Sequence, residues 1–173
     1  MEELGFVNLD SDTGLFMCHD ESSQTFVITV VYVDDTISLG PSKATVDIMK
    51  MKFMKCWESR DLGELSEFLH MRIGRTSQSI YIDQAQYLQT VLQRCGMENT
   101  KATPTPLPAG YAPVKSLDKA AGPELQKEYQ TVIGSLLYLM LGTRPDISFT
   151  VTKMAQFAAN PTEDHLAHAL YIC

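Results

Sequence analysis

The stretch that most limits how this chain can fold is Phe26 to Gly40, FVITVVYVDDTISLG. Its β-branched and aromatic residues favour extended backbone. Two adjacent acids, Asp34 and Asp35, divide it into a long apolar run before them and a short one, Thr36 to Leu39, after them. That pattern predicts a hairpin with its carboxylates at the tip. A buried strand gains nothing from two neighbouring charges, because unpaired carboxylates in a low dielectric are costly. The pair therefore predicts a cation held at the end of the hairpin; the competing reading is a solvated acidic turn without a ligand.

The chain as a whole, 173 residues of which 45% are hydrophobic, has enough apolar surface for one domain, or one and a part. Cys18, Cys56, Cys95 and Cys173 are too widely spaced for a zinc site or a disulfide framework, which predicts an intracellular setting, cytoplasmic or nuclear. No apolar run reaches membrane-spanning length and no basic-then-apolar leader opens the chain, so no membrane partner is expected. The net charge of −7 is concentrated early: residues 1 to 40 carry eight acids and no Lys or Arg. That balance argues against a stand-alone nucleic-acid binder with a basic face. Bound divalent ions would reverse the local sign at an acidic cluster.

In chain order, Met1 to Gly5 reads as the tail of a helix closed by glycine. Phe6 to Leu9, Leu15 to Cys18 and Thr25 to Val33 read as an antiparallel meander, with turns at 10–14 and at His19 to Gln24. A helix runs from Pro41 and Ser42 to about Trp57, with Val46, Met49, Phe53 and Met54 on one side. Lys43, Lys50, Lys52 and Lys55 lie largely off that stripe, as a solvated face in preference to a phosphate-binding one. Leu65 to Ile73 and Ser79 to Asp83 predict two strands about a polar turn, Gly74 to Gln78. Helices follow at Gln84 to Cys95, Glu124 to Leu141, Asp146 to Ala159 and Glu163 to Cys173, with a Pro-rich linker over 99–123. Asp146 reads as a helix cap. His165 and His168 sit three apart on a helix, but no further zinc ligand accompanies them. Met49, Met51 and Met54 read as gap-filling side chains. The fold class is α+β.

YVDD at Tyr32 to Asp35 resembles the Tyr-x-Asp-Asp signature of reverse transcriptases. Its context makes the match specific: DLGELSEFL at 61–69, YIDQAQYLQTVLQRCGM at 81–97, TPLP at 105–108, IGSLLYLMLGTRPDISF at 133–149 and NPTEDHLAHAL at 160–170. In that order and spacing they resemble the reverse transcriptase of Ty1/copia-type retrotransposons along essentially the whole chain. The resemblance implies a polymerase in which residues 1–75 form the C-terminal part of the palm, including the primer-grip hairpin. Residues 76–173 would form the thumb and connection. It implies that the fingers, the palm strand with the first catalytic aspartate and the ribonuclease H domain lie outside this segment, so both ends are expected to be cuts.

The chemistry so implied is in-line phosphoryl transfer on an RNA or DNA template-primer and a dNTP, with two Mg²⁺ ions. Asp34 is assigned as a direct metal ligand and Asp35 as its support or a second ligand, the remaining carboxylate coming from the palm strand outside this segment. Tyr32 is expected near the primer terminus and Val33 against the nucleic-acid backbone, with strand packing the nearer reading for Val33. Phe68, Leu69, His70 and Met71 occupy the primer-grip position, where His70 replaces the glycine usual in the family and cannot adopt every backbone shape that a glycine can. A second reading of the same residues is a non-enzymatic relic or interaction module that keeps part of the fold. A third, a small Mg²⁺-dependent phosphotransferase, lacks the phosphate-cradling glycine loop it would need.

Overall fold

A computed structural model describes residues 1–20, 25–115 and 121–173. It is α+β and divides into two compact units, Met1–Leu65 and Ser66–Cys173. Of the polar turn expected at His19 to Gln24, His19 and Asp20 belong to a strand and 21–24 fall outside the described residues, as do 116–120 of the Pro-rich linker.

The first unit opens with a 3-10 turn, Glu2–Leu4, ended by Gly5 at φ 78°, where the tail of a helix closed by glycine was expected. Strands β1 (Val7–Leu9), β2 (Asp12–Asp20), β3 (Thr25–Tyr32) and β4 (Asp35–Leu39) then form an antiparallel meander in sequence order. Strand β2 is longer than the expected Leu15 to Cys18, because pairing with β3 continues through Asp20. Helix α1 (Lys43–Cys56) starts at Ser42, whose hydroxyl accepts the Thr45 N–H. Alternation sorts the strands into two faces. Val27 and Thr29 are buried on one, where Phe6, Val27 and Met49 of α1 form a small core. On the opposite face Val7, Met17, Ile28 and Leu39 align across all four strands. α1 leaves that row open: Val7 is 67% exposed.

In the second unit the run from Leu65 to Ile73 is not one strand. It folds back at Leu69 and His70 into β5 (Glu67–Phe68) and β6 (Met71–Arg75), and β6 pairs in turn with β7 (Ile80–Asp83). Gly74 is a strand residue opposite Tyr81, not part of the turn, and a methyl group there would run into the Tyr81 ring. The turn itself is Thr76 to Ser79, closed by the Thr76 N–H to Ser79 C=O bond of 2.8 Å.

Helix α2 (Ala85–Arg94) leads to α3 (Pro123–Gly142), which Gly122 and Pro123 start. Helices α4 (Ser148–Ala155) and α5 (Glu163–Ile172) pack on α3. Tyr129, Leu136 and Leu139 of α3 form one buried core with Val91, Val151, Met154 and Ala169. The Tyr129 hydroxyl donates to the Met154 carbonyl at 2.7 Å, so this large ring is buried without an orphaned polar atom. Helix α4 stops at Ala155, short of the expected Ala159, and a 3-10 turn, Pro145–Ile147, precedes it. Asp146 does not cap it: its carboxylate is held by the Arg144 guanidinium at 2.8 Å, which keeps the acid below the usual carboxylate range.

Candidate metal-binding hairpin and grip hairpin

Val30 pairs with Ile37, Val31 with Thr36 and Tyr32 with Asp35, so the β3–β4 connection is the two-residue loop Val33-Asp34. Short hairpin loops need positive φ to match the twist of their strands. Val33 supplies it at φ 53°. A β-branched residue there is an outlier, at a cost of about 1–3 kcal/mol. The expectation of strand packing for Val33 is corrected: it sits in the turn, 82% exposed. Asp34 completes the loop, and Asp35 is the first residue of β4, sharing a sheet face with Tyr32, which is itself exposed.

Both carboxylates are exposed, and among the described residues neither has a hydrogen-bond or ion-pair partner. In α1 and the segment after it two acids are paired: Lys43 bonds Asp47 at 2.7 Å, and Lys50 bonds Asp61 at 2.7 Å. Those bonds lower both acids and raise Lys50, so part of the basic face is neutralised locally. Two free carboxylate groups are the right donors for a hard divalent ion, which takes oxygen ligands from one or two acids and completes its shell with phosphates and water. Among the described residues no group of three or more His, Cys, Asp or Glu gathers to hold a metal. The donor type fits Mg²⁺; the donor number leaves room for ligands beyond these two.

The phrase Phe68 to Met71 forms a hairpin of its own, in the second unit. Phe68 pairs with Met71, leaving Leu69 and His70 as a two-residue loop with φ 50° and 59°. Two successive positive φ values are the pattern of the I′ turn, which ordinarily selects Asn-Gly. His70 thus adopts a left-handed backbone that glycine would take without strain. Its side chain is 91% exposed, with Nδ1 3.8 Å from a Glu67 oxygen. Behind the turn the Leu69 carbonyl accepts the Tyr138 hydroxyl of α3 at 2.6 Å. The neighbouring strand pair is fixed by Arg72, whose Nε donates to Asp83 at 2.9 Å.

Tyr138 and Gln84 carried no expectation from the sequence. Tyr138 sits in an apolar helical run, where a tyrosine hydroxyl that must find a partner was the available signal. Gln84, 4% exposed, donates to the Tyr138 carbonyl and accepts from the Thr143 hydroxyl at 2.8 Å. The two histidines of α5 have separate tasks. His165 is buried, its Nδ1 accepting the Thr162 N–H, while His168 stacks on Tyr111 at 3.5 Å.

The family model described as reverse transcriptase (RNA-dependent DNA polymerase) matches residues 1–109. The chain is 34% identical over 83% of its length to the retrovirus-related Pol polyprotein from transposon TNT 1-94 of Nicotiana tabacum. It is 35% identical over 94% of its length to that from transposon RE1 of Arabidopsis thaliana. It is 28% identical over 98% of its length to a transposon Ty5-1 protein of Saccharomyces cerevisiae. The chain spans 11% of each plant polyprotein and 54% of the yeast protein. No solved structure matches it significantly.

Proposed function

Because this chain belongs to the reverse transcriptase (RNA-dependent DNA polymerase) family, with Ty1/copia-type retrotransposon polyproteins as relatives, we propose that it forms part of the nucleotide-adding centre of an RNA-directed DNA polymerase. The observation that carries this reading is the pair of unpartnered carboxylates, Asp34 and Asp35, fixed by a two-residue loop at the end of β3 and β4. Members of this family use Mg²⁺. Here Asp34 and Asp35 would hold it, and when bound it supplies charge stabilisation for phosphoryl transfer. Tyr32 and Val33 stand exposed beside the acids, where a primer strand would pass. The Phe68 to Met71 hairpin would hold that strand through its backbone, a contact that positions without reading sequence.

The substrates are then a template-primer and a deoxynucleoside triphosphate. The test is Asp34→Asn in a polyprotein carrying this sequence. The expected result is loss of Mg²⁺-dependent primer extension with an unchanged circular-dichroism spectrum, since Asp34 supports no other contact. Extension at the original rate would overturn the assignment.

A further inference from the structure

The turn at Leu69 and His70 is held in a shape its residues do not favour. Successive left-handed residues other than glycine are each strained, and such conformations persist where surrounding structure over-determines them. One contact here bears on the turn directly, and two more hold the residue that makes it. The Tyr138 hydroxyl donates to the Leu69 carbonyl at 2.6 Å, inside the turn itself. The Tyr138 ring packs edge-on against Tyr87 of α2, with centroids 4.6 Å apart and planes at 70°. The Tyr138 carbonyl accepts from buried Gln84, which also binds Thr143 beyond the end of α3. The hydroxyl is thereby anchored from two helices, and it reaches the carbonyl of the residue that begins the left-handed pair. On the far side of that pair the His70 side chain stands in solvent, 91% exposed.

We propose that Tyr138 is a positioning residue for nucleic-acid binding: its hydroxyl locks the Leu69-His70 turn so that His70 and the hairpin backbone are presented in one fixed attitude to the sugar-phosphate strand of a primer. This rests on the reading of the Phe68 to Met71 hairpin as a primer contact. Preorganisation is what the arrangement contributes, because a loop already in its binding shape loses less conformational freedom on binding. Glu67 lies beside His70, its oxygen 3.8 Å from Nδ1, and an acid at that place opposes a phosphate, so the attitude of the turn bears on which side chain the strand meets.

The test compares Tyr138→Phe, which keeps the ring against Tyr87, with the unaltered chain by two measurements. One is amide hydrogen exchange at Leu69 to Arg72; the other is fluorescence anisotropy with a labelled DNA primer annealed to an RNA template in Mg²⁺. The expected result is faster exchange in the turn and duplex affinity weaker by about 3- to 10-fold, the net worth of one hydrogen bond. Ser135→Ala, which removes a buried hydroxyl bonded within α3, is the control for stability alone and leaves affinity unchanged. In a His70→Asn background, where Asn tolerates the left-handed conformation, the loss from Tyr138→Phe shrinks to about 2-fold or less.

Unchanged exchange in Tyr138→Phe overturns the lock. Faster exchange with unchanged affinity, or a loss undiminished by His70→Asn, overturns the positioning role while the primer-contact reading stands. An unaltered chain that binds no duplex removes the primer-contact reading and the proposal with it, leaving the Asp34 assay as a separate matter.

Discussion

His165 occupies the place in α5 that glutamate or glutamine usually holds in a capping box: Thr162 accepts the His165 N–H, and the imidazole accepts the Thr162 N–H in return. Accepting requires an unprotonated Nδ1, and burial, the larger influence, holds the ring below the ordinary histidine value against the opposing pull of Asp164. A group whose folded-state pKa is depressed stabilises the fold fully above its unfolded value, near 6.5, and loses that contribution as pH falls toward the folded value. Urea denaturation of the chain is therefore expected to show stability declining below about pH 6.5, with the decline reduced in His165→Ala. The same variant loses about 2 kcal/mol at neutral pH from the cap and the vacated volume. An equal acid slope in both proteins would refute this role. The sequence disclosed the spacing of His165 and His168 but not their division of labour, since one ring's fate depends on Thr162 three residues earlier and the other's on Tyr111 far along the chain. Asp34 and Asp35 were legible for the opposite reason: two acids inside an apolar run announce themselves whatever surrounds them.

Helices and strands were legible where their periodicity was long. Helix α3 follows from its apolar run and its end near Gly142, while Pro123, expected in the linker, is its first residue. The Leu69-His70 fold-back was legible from the family resemblance but not from periodicity, because neither residue is a turn former; its two left-handed residues have the Tyr138 hydroxyl behind them. Within α3, Gly134 is exposed in mid-helix, and a methyl group there would meet nothing within 4 Å. Gly134→Ala is expected to stabilise the chain by about 0.5–1 kcal/mol, because glycine loses more backbone freedom in a helix than alanine does. A lowered urea midpoint would contradict it. Leu136→Ala, two residues on and in the buried face, is expected to lose about 2–5 kcal/mol in the same measurement.

Taken as a molecule, the chain is unequal in its two units. The second has a continuous core drawn from four helices, whereas the first rests on Phe6, Val27 and Met49 and leaves an apolar row across its sheet open. Residues 66–173 expressed alone are therefore expected to keep helical circular dichroism and a cooperative melt, and a flat thermal trace would exclude this. The full chain, with the Val7, Met17, Ile28 and Leu39 row uncovered by α1, is expected to associate in size-exclusion chromatography. A concentration-independent monomer peak would rule that out. The β3–β4 hairpin also bears on how such a chain can drift under mutation. Since Tyr32 faces Asp35 across a loop of two residues, and strand faces alternate at every position, adding or deleting one codon between them would turn each later side chain of β4 to the other face. A change of length at this loop would thus exchange the two faces of β4, whereas a substitution along it would leave them as they are.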